Sequence, residues 1–253
     1  MEIKNCSGDI SMSPVDCAKL DIKEFTFDTF IEDSTNRFAV VACKEFFSAL
    51  PYDIKILWLY GPIGRGKTHL LRATENQFKT KHSVCSLNAK ELGEEYLSFI
   101  FKRKTRLNEI EQVQLLIIDD VDYLLNKTTT QEEIAKLILK KVSNGLKVLL
   151  ASNCYPHELE VLYKLIFGEA LFADTGFTAK EKRIEMVTNF LENSCVKIEN
   201  EALMLLTETE LTIPQFIRTL RKIEEYYQRH KALIDKSMVK EFIDKVIKFY
   251  DSL

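Results

Sequence analysis

The run Gly61-Pro62-Ile63-Gly64-Arg65-Gly66-Lys67-Thr68 fits the pattern G-x-x-x-x-G-K-[ST]. Its chemistry is phosphate capture. Glycines let the main chain curl so that successive N–H groups point inward, and a helix beginning at the lysine adds its positive end to the cradle. Gly61, Gly64, Arg65, Gly66, Lys67, Thr68 and the following His69 are therefore the candidate phosphate-binding residues, with Lys67 reaching β and γ phosphates and Thr68 ligating Mg²⁺. A second constellation, Leu115-Leu116-Ile117-Ile118-Asp119-Asp120, sets two carboxylates at the end of an aliphatic run. Asp119 is placed to hold the Mg²⁺ shell and Asp120 to act as the base that orients an attacking water. Asn153, after the apolar run ending at Ala151, offers an amide beside the γ-phosphate or serves only as a turn or cap residue.

These groups need a scaffold that brings distant segments to one rim. Four short apolar runs, 55–60, 83–87, 113–118 and 146–151, read as strands buried on both faces, and Ala170 to Ala173 as a fifth. Helical stretches lie between them. One spans Thr128 to Val142, opens with a T-x-x-Q capping box (Thr128, Gln131) and carries Ile134, Leu137, Ile138 and Val142 on one face. Strand alternating with helix implies a parallel α/β sheet. Ahead of it, Phe25, Phe27, Phe30 and Ile31 suggest an apolar strip, followed by a helix from about Asn36 to Leu50 that Pro51 helps end.

Beyond Gly176 the strand patterns stop. Thr178 and Glu181 form a further capping box, opening a helix with Ile184, Val187, Phe190 and Leu191 inward. Segments 199–207, 212–230 and 235–250 follow with helical spacing. The expected organisation is a flexible arm at 1–22, a nucleotide-binding α/β base at 23–176 and a helical lid at 177–253. Trp58, Phe216, Phe242 and Phe249 are read as core.

Composition excludes several classes. With 253 residues, 46% of them hydrophobic and 29% charged, the chain is globular in character. Its longest apolar stretches fall far short of the roughly 18 residues a membrane span requires, and the N-terminus lacks a secretory pattern, so a cytoplasmic location is expected. Six cysteines without a C-x-x-C pair, among four histidines, support neither a zinc site nor a redox motif. A net charge of −3 leaves no global field for nucleic acid.

Several further motifs are more particular than the phosphate loop. F-T-F-D-T-F-I (25–31) with Ser34-Thr35-Asn36-Arg37, G-K-T-H-L-L-R-A (66–73), L-L-I-I-D-D-V-D-Y-L (115–124) and T-Q-E-E (130–133) resemble the AAA+ domain of the bacterial replication initiator DnaA and its Hda-like relatives, over roughly Phe25 to Ile247. The resemblance implies a P-loop NTPase of AAA+ type: ATP or ADP with Mg²⁺ held between an α/β base and a helical lid, Ile31 and Asn36 near the adenine. It implies a role in initiating chromosomal replication or regulating it, through other AAA+ subunits, either copies of itself or a full-length initiator. The resemblance also implies that segment 89–112 takes the place of the family's initiator-specific helices, and there Phe101 with Lys102, Arg103, Lys104 and Arg106 could contact single-stranded DNA or form a solvated face.

Three departures from the family pattern bear on activity. The chain ends at Leu253, where initiators continue into a helix-turn-helix, so sequence-specific duplex binding is not expected. Ile166 stands where initiators present an arginine to a neighbour's ATP, with Lys164 the nearest cation. Pro214 stands where a lid arginine would touch γ-phosphate, Arg218 and Arg221 lying one and two turns on. Slow Mg²⁺-dependent hydrolysis at best is therefore expected. The alternatives are an Hda-like non-catalytic adaptor, although residues 1–22 lack a clear Gln-containing clamp motif, and a helicase-loader or transposition-type ATPase.

Overall fold

The computed structural model describes residues 25–48, 54–103, 105–176 and 179–251. Five strands, β1 (Ile56–Tyr60), β2 (Val84–Asn88), β3 (Leu115–Asp119), β4 (Lys147–Ser152) and β5 (Ala170–Asp174), form one sheet in the order β2-β3-β4-β1-β5 with every pairing parallel. The expected α/β class and all five strand positions are borne out, with ends shifted by one or two residues. Parallel pairing requires crossovers, supplied by helices α2 to α6 (Lys67–Phe78, Ala89–Ile100, Leu107–Gln112, Thr128–Ser143, Glu160–Ile166), while α1 (Arg37–Lys44) precedes β1.

Period-two alternation divides the core cleanly. On β1, Leu57 and Leu59 face α1 and α2, whereas Ile56 and Trp58 face the layer of α3 to α6. This accounts for the near-continuous aliphatic strands: neither face meets water. Trp58 is fully buried, and its indole Nε1 donates to Ser152 Oγ at 3.0 Å, which in turn donates to the Cys154 carbonyl at 2.8 Å. Another buried polar group is Lys141, 1% exposed on α5. Its Nζ donates to the carbonyls of Ile110, Glu111 and Val113 at 2.9, 3.1 and 2.9 Å, closing the end of α4 and the approach to β3. Burial lowers its pKa to about 8.

After β5, helices α7 (Lys180–Asn193), α8 (Asn200–Glu208), α9 (Ile213–His230) and α10 (Lys236–Asp251) enclose their own apolar core, in which Val187, Leu206, Phe216, Ile223 and Val239 are buried. No helix among the described residues is long and apolar enough to cross a membrane.

Several local expectations are corrected. The first helix stops at Lys44 and buries Ala39, Val40, Ala42 and Cys43. Leu50 and Pro51 lie outside the described residues, as do Thr178, with its capping box, and the N-terminal arm. Thr128 is not a cap: the helix starts on Lys127 without a side-chain bond, because Gln131 is drawn inward. Gln131 Nε2 donates to the Leu124 carbonyl at 2.9 Å, and its Oε1 accepts from Val161 and Leu162 N–H at 3.1 and 3.2 Å. Ile184 faces out, 45% exposed. The inward face of α7 is set by Val187 and by Arg183, whose Nε donates to the Thr207 carbonyl at 2.9 Å while its stem fills the apolar position. Phe249 is also no core residue; it is 40% exposed, with the Arg218 guanidinium 3.8 Å from its ring centroid.

Candidate functional site

Parallel strands end together, so the loops after β1, β3 and β4 meet at one rim of the sheet. The first is the glycine loop. Gly64 and Gly66 have φ of +74° and +83°, left-handed conformations in which a side chain is strained. Space is short as well: a Cβ at Gly66 would lie 2.5 Å from the Phe30 ring, and one at Gly64 would lie 2.5 Å from Thr212 Cβ. Helix α2 then begins at Lys67 with its N–H groups directed into the loop.

Lys67 is buried at the loop mouth, and its Nζ donates to the carbonyls of Gly61 at 2.6 Å and Pro62 at 2.8 Å. Burial lowers its pKa to about 8, against the opposing pull of Asp119, Asp122 and Asp120. Thr68, next on the helix, donates from Oγ1 to Asp119 Oδ2 at 2.8 Å, although the two are 51 positions apart in the chain. The other oxygen of Asp119 accepts from Asp120 N–H at 2.9 Å. Asp120 sits at φ +52°, which turns the chain sharply off the end of β3. Burial raises the pKa of its carboxyl, and Asp119 and Asp122 raise it further.

Asn153, at the end of β4, is fixed by a residue not singled out from sequence. Its N–H donates to Asp122 Oδ1 at 2.9 Å, and its Nδ2 lies 3.3 Å from both oxygens of that carboxylate. The signal was the third aspartate of D-D-V-D. A polar cavity of about 260 Å³ adjoins Asp119 and Asp120, walled by Arg72, Ser86, Asn88 and Glu91.

The strap before α1 closes one side. Asn36 is buried, accepts from Asp33 N–H at 2.9 Å through Oδ1 and donates from Nδ2 to the Ile31 carbonyl at 3.0 Å. Asp33 was also missed. Its Oδ1 accepts from Thr35 N–H at 2.8 Å and from Thr35 Oγ1 at 2.6 Å, while Oδ2 accepts from Ala179 N–H at 3.0 Å, joining the strap to the start of α7. The D-S-T-N run carries the signal for such a turn.

Two members of the predicted cradle send their side chains elsewhere. The His69 ring turns into the strap, with Nε2 2.9 Å from the Thr26 carbonyl and edge contacts to Phe25 and Phe30. The Arg65 guanidinium crosses to the C-terminal helices, where Nη1 donates to the Leu211 carbonyl, ahead of α9, at 3.3 Å. The basic segment stands apart, between α3 and α4. Phe101 is 65% exposed with Arg103 over its ring, whereas Arg106 is held by Glu95 at 3.0 Å. Lys104 lies outside the described residues.

Comparison with known proteins bears on this geometry. A sequence model of the family described as the bacterial DnaA ATPase domain matches residues 21–168. The chain belongs to this family. It is 26% identical over 231 residues to the chromosomal replication initiator protein DnaA of Bdellovibrio bacteriovorus, covering 87% of this chain and 49% of that protein. The chain thus spans about half the length of the curated relatives it matches. Domain III of the Thermotoga maritima DnaA superposes with a TM-score of 0.69 at 24% identity, over 89% of this chain and 98% of that one. A DnaA bound to AMPPCP and single-stranded DNA superposes with a TM-score of 0.68 at 24% identity, over 82% of this chain and 68% of that one.

Within the DnaA fold, the positions noted for their missing arginines are now located. Ile166 is fully buried under the sheet, and Lys164 pairs along its own helix with Glu160 at 2.6 Å. Pro214 lies in the first turn of α9, whose cap is Thr212; Thr212 Oγ1 accepts from Gln215 N–H at 3.4 Å, and Gln215 Oε1 accepts from Thr212 N–H at 2.9 Å. Arg218 is occupied by Phe249.

Proposed function

We propose that this chain binds ATP or ADP with Mg²⁺ in the glycine loop and acts as a DnaA-type nucleotide switch in the initiation of chromosomal replication or its control, through contacts with other AAA+ subunits. The observation that carries this reading is the meeting of Thr68 and Asp119 at 2.8 Å beside a loop of left-handed glycines. That donor set fits Mg²⁺, which takes one or two protein oxygens and completes its shell with phosphates and water. Among the described residues no cluster of three His, Cys, Asp or Glu side chains offers an alternative all-protein metal site. Held by Thr68 and Asp119, Mg²⁺ would supply positive charge against the phosphates.

The chain's own groups have distinct tasks. Lys67 exchanges the Gly61 and Pro62 carbonyls for phosphate oxygens, Thr68 and Asp119 hold the ion, and Asp120 and Asn153 flank the attacking water. Ile31 and Asn36 wall the adenine, and the main chain from Gly61 to His69 cradles the phosphates. Hydrolysis is slow: Ile166 and Pro214 stand where the resemblance places arginines, and an arginine finger is worth about 10³ to 10⁵ in rate where it operates. The buried Ile166 and the Arg218–Phe249 contact support binding over turnover. They also favour, as a second reading, a non-catalytic adaptor that alters a full-length initiator's nucleotide state. The relative bound to single-stranded DNA suggests a matching contact here through Phe101, Lys102, Arg103, Lys104 and Arg106.

Equilibrium titration with a fluorescent adenine nucleotide tests the proposal: micromolar or tighter binding is expected, weakened at least 100-fold by Lys67→Ala. Absence of binding to the wild-type chain, or indifference to the substitution, overturns it. Single-turnover assay with Asp120→Asn as control separates switch from enzyme.

A further inference from the structure

The seam between the phosphate loop and the lid is built in an unexpected direction. Arg65, 6% exposed, belongs to the loop by sequence yet spends its guanidinium on the Leu211 carbonyl of the lid. Leu211 directly precedes Thr212, the cap of α9. Thr212 in turn rests on Gly64 so closely that no Cβ could be inserted between them. Two adjacent loop residues thus grip two adjacent lid residues. The surroundings suit the arrangement: Asp33 and Glu210 balance Arg65 against Arg183 of α7, and Asp33 also holds Ala179 at the start of that helix.

From the lid side, neither Pro214 nor Arg218 reaches inward. Pro214 fills the position where the DnaA resemblance places a γ-phosphate arginine, and its ring suits the first turn of a helix. Arg218, one turn further, stacks on Phe249 3.8 Å away.

We infer that Arg65 is the positioning residue of the lid: the base reaches out through its phosphate loop, so lid docking is set by contacts within the chain and not by which phosphate the nucleotide carries. This deepens the nucleotide-binding proposal and rests on it for the comparison of ATP with ADP. The lid of this chain therefore closes alike over the diphosphate and the triphosphate, and any distinction between them has to come from Lys67, Asn153 or a partner subunit.

Hydrogen exchange of the full chain, followed by mass spectrometry over residues 207–216, tests the inference. In the wild type, protection of this segment should be the same within about threefold with no nucleotide, with Mg-ADP and with a non-hydrolysable Mg-ATP analogue. Without nucleotide, Arg65→Leu should accelerate exchange there at least tenfold while leaving β1 and α2 protected, and Arg65→Lys should restore part of the protection. Thr212→Ala, which leaves the loop intact, should act in the same direction and serves if Arg65→Leu does not fold. Unchanged exchange in both variants overturns the inference, as does selective protection by the triphosphate analogue in the wild type. Lys67→Ala keeps the two proposals distinguishable: it should abolish nucleotide binding while the nucleotide-free exchange of 207–216 stays at the wild-type level.

Discussion

Lys141 provides a quantitative test of how the base is held together. Replacing it with methionine keeps the stem and removes the charge. Its pKa falls from 10.5 to about 8, so the fold disfavours the ammonium by roughly 3 kcal/mol at neutral pH, at about 1.4 kcal/mol per unit. Lys141→Met relieves that penalty but strands three carbonyls, of which Ile110 is buried and Glu111 and Val113 are half-buried. Water can reach the two half-buried carbonyls, so the cost is chiefly that of the orphaned Ile110 acceptor, about 1–3 kcal/mol. The two effects nearly cancel, so at pH 7 the variant should lie within about 2 kcal/mol of wild type. The sign at higher pH follows from the depressed value. Between pH 8 and 10.5 the unfolded chain binds more protons at this site than the folded one, so the lysine's contribution to stability rises with pH. At pH 10 the wild type should have gained roughly 2–3 kcal/mol relative to the variant. Urea unfolding of both proteins at pH 7 and pH 10 measures this double difference, in which other titrating groups cancel. An identical gap at the two pH values would refute a buried, charge-penalised lysine.

Ile166→Arg should not restore an activating arginine. The position is fully buried, so the substitution should lower stability by about 3 kcal/mol or more without raising hydrolysis, as a thermal melt and a phosphate-release assay would reveal. Asp119→Asn should remove most of the Mg²⁺ dependence of nucleotide affinity, detectable by titration with and without EDTA; retained Mg²⁺ enhancement would count against Asp119 as the ion's ligand. Phe101→Ala should weaken single-stranded DNA binding by about 1–3 kcal/mol. Arg103→Ala should reduce the salt dependence by about 0.7 in logarithmic slope, and fluorescence anisotropy across a salt series reads both effects.

The legible parts of this molecule are those written in short stretches. The glycine loop, the twin aspartates and the aliphatic strands each declare themselves within four to eight consecutive residues, because main-chain curl and two-sided burial are local demands. What failed depended on partners far along the chain. The T-x-x-Q pattern occurs at both Thr128 and Thr212; only the second forms a cap, because Gln131 finds better acceptors and donors in Leu124 and α6. Ile184 lost its place to the stem of Arg183, which sequence periodicity counts as polar. Asp122 and Asp33 could be read as turn formers, but nothing nearby announced Asn153 or Ala179 as their partners. Arg65 fills a variable position of the loop pattern and His69 follows it, so the pattern specified neither side chain.

The single tryptophan gives this protein a spectroscopic window of its own. Trp58 is sealed from water and tethered to Ser152, the immediate neighbour of Asn153, whose amide grips Asp122. Buried from water, Trp58 should emit at a blue-shifted maximum, and a disturbance at the tip of β4 should reach the indole through this hydrogen bond and change emission intensity without wetting the ring. Events at the rim can therefore be timed in unlabelled protein, and loss of the sheet would be told apart from them by a red shift.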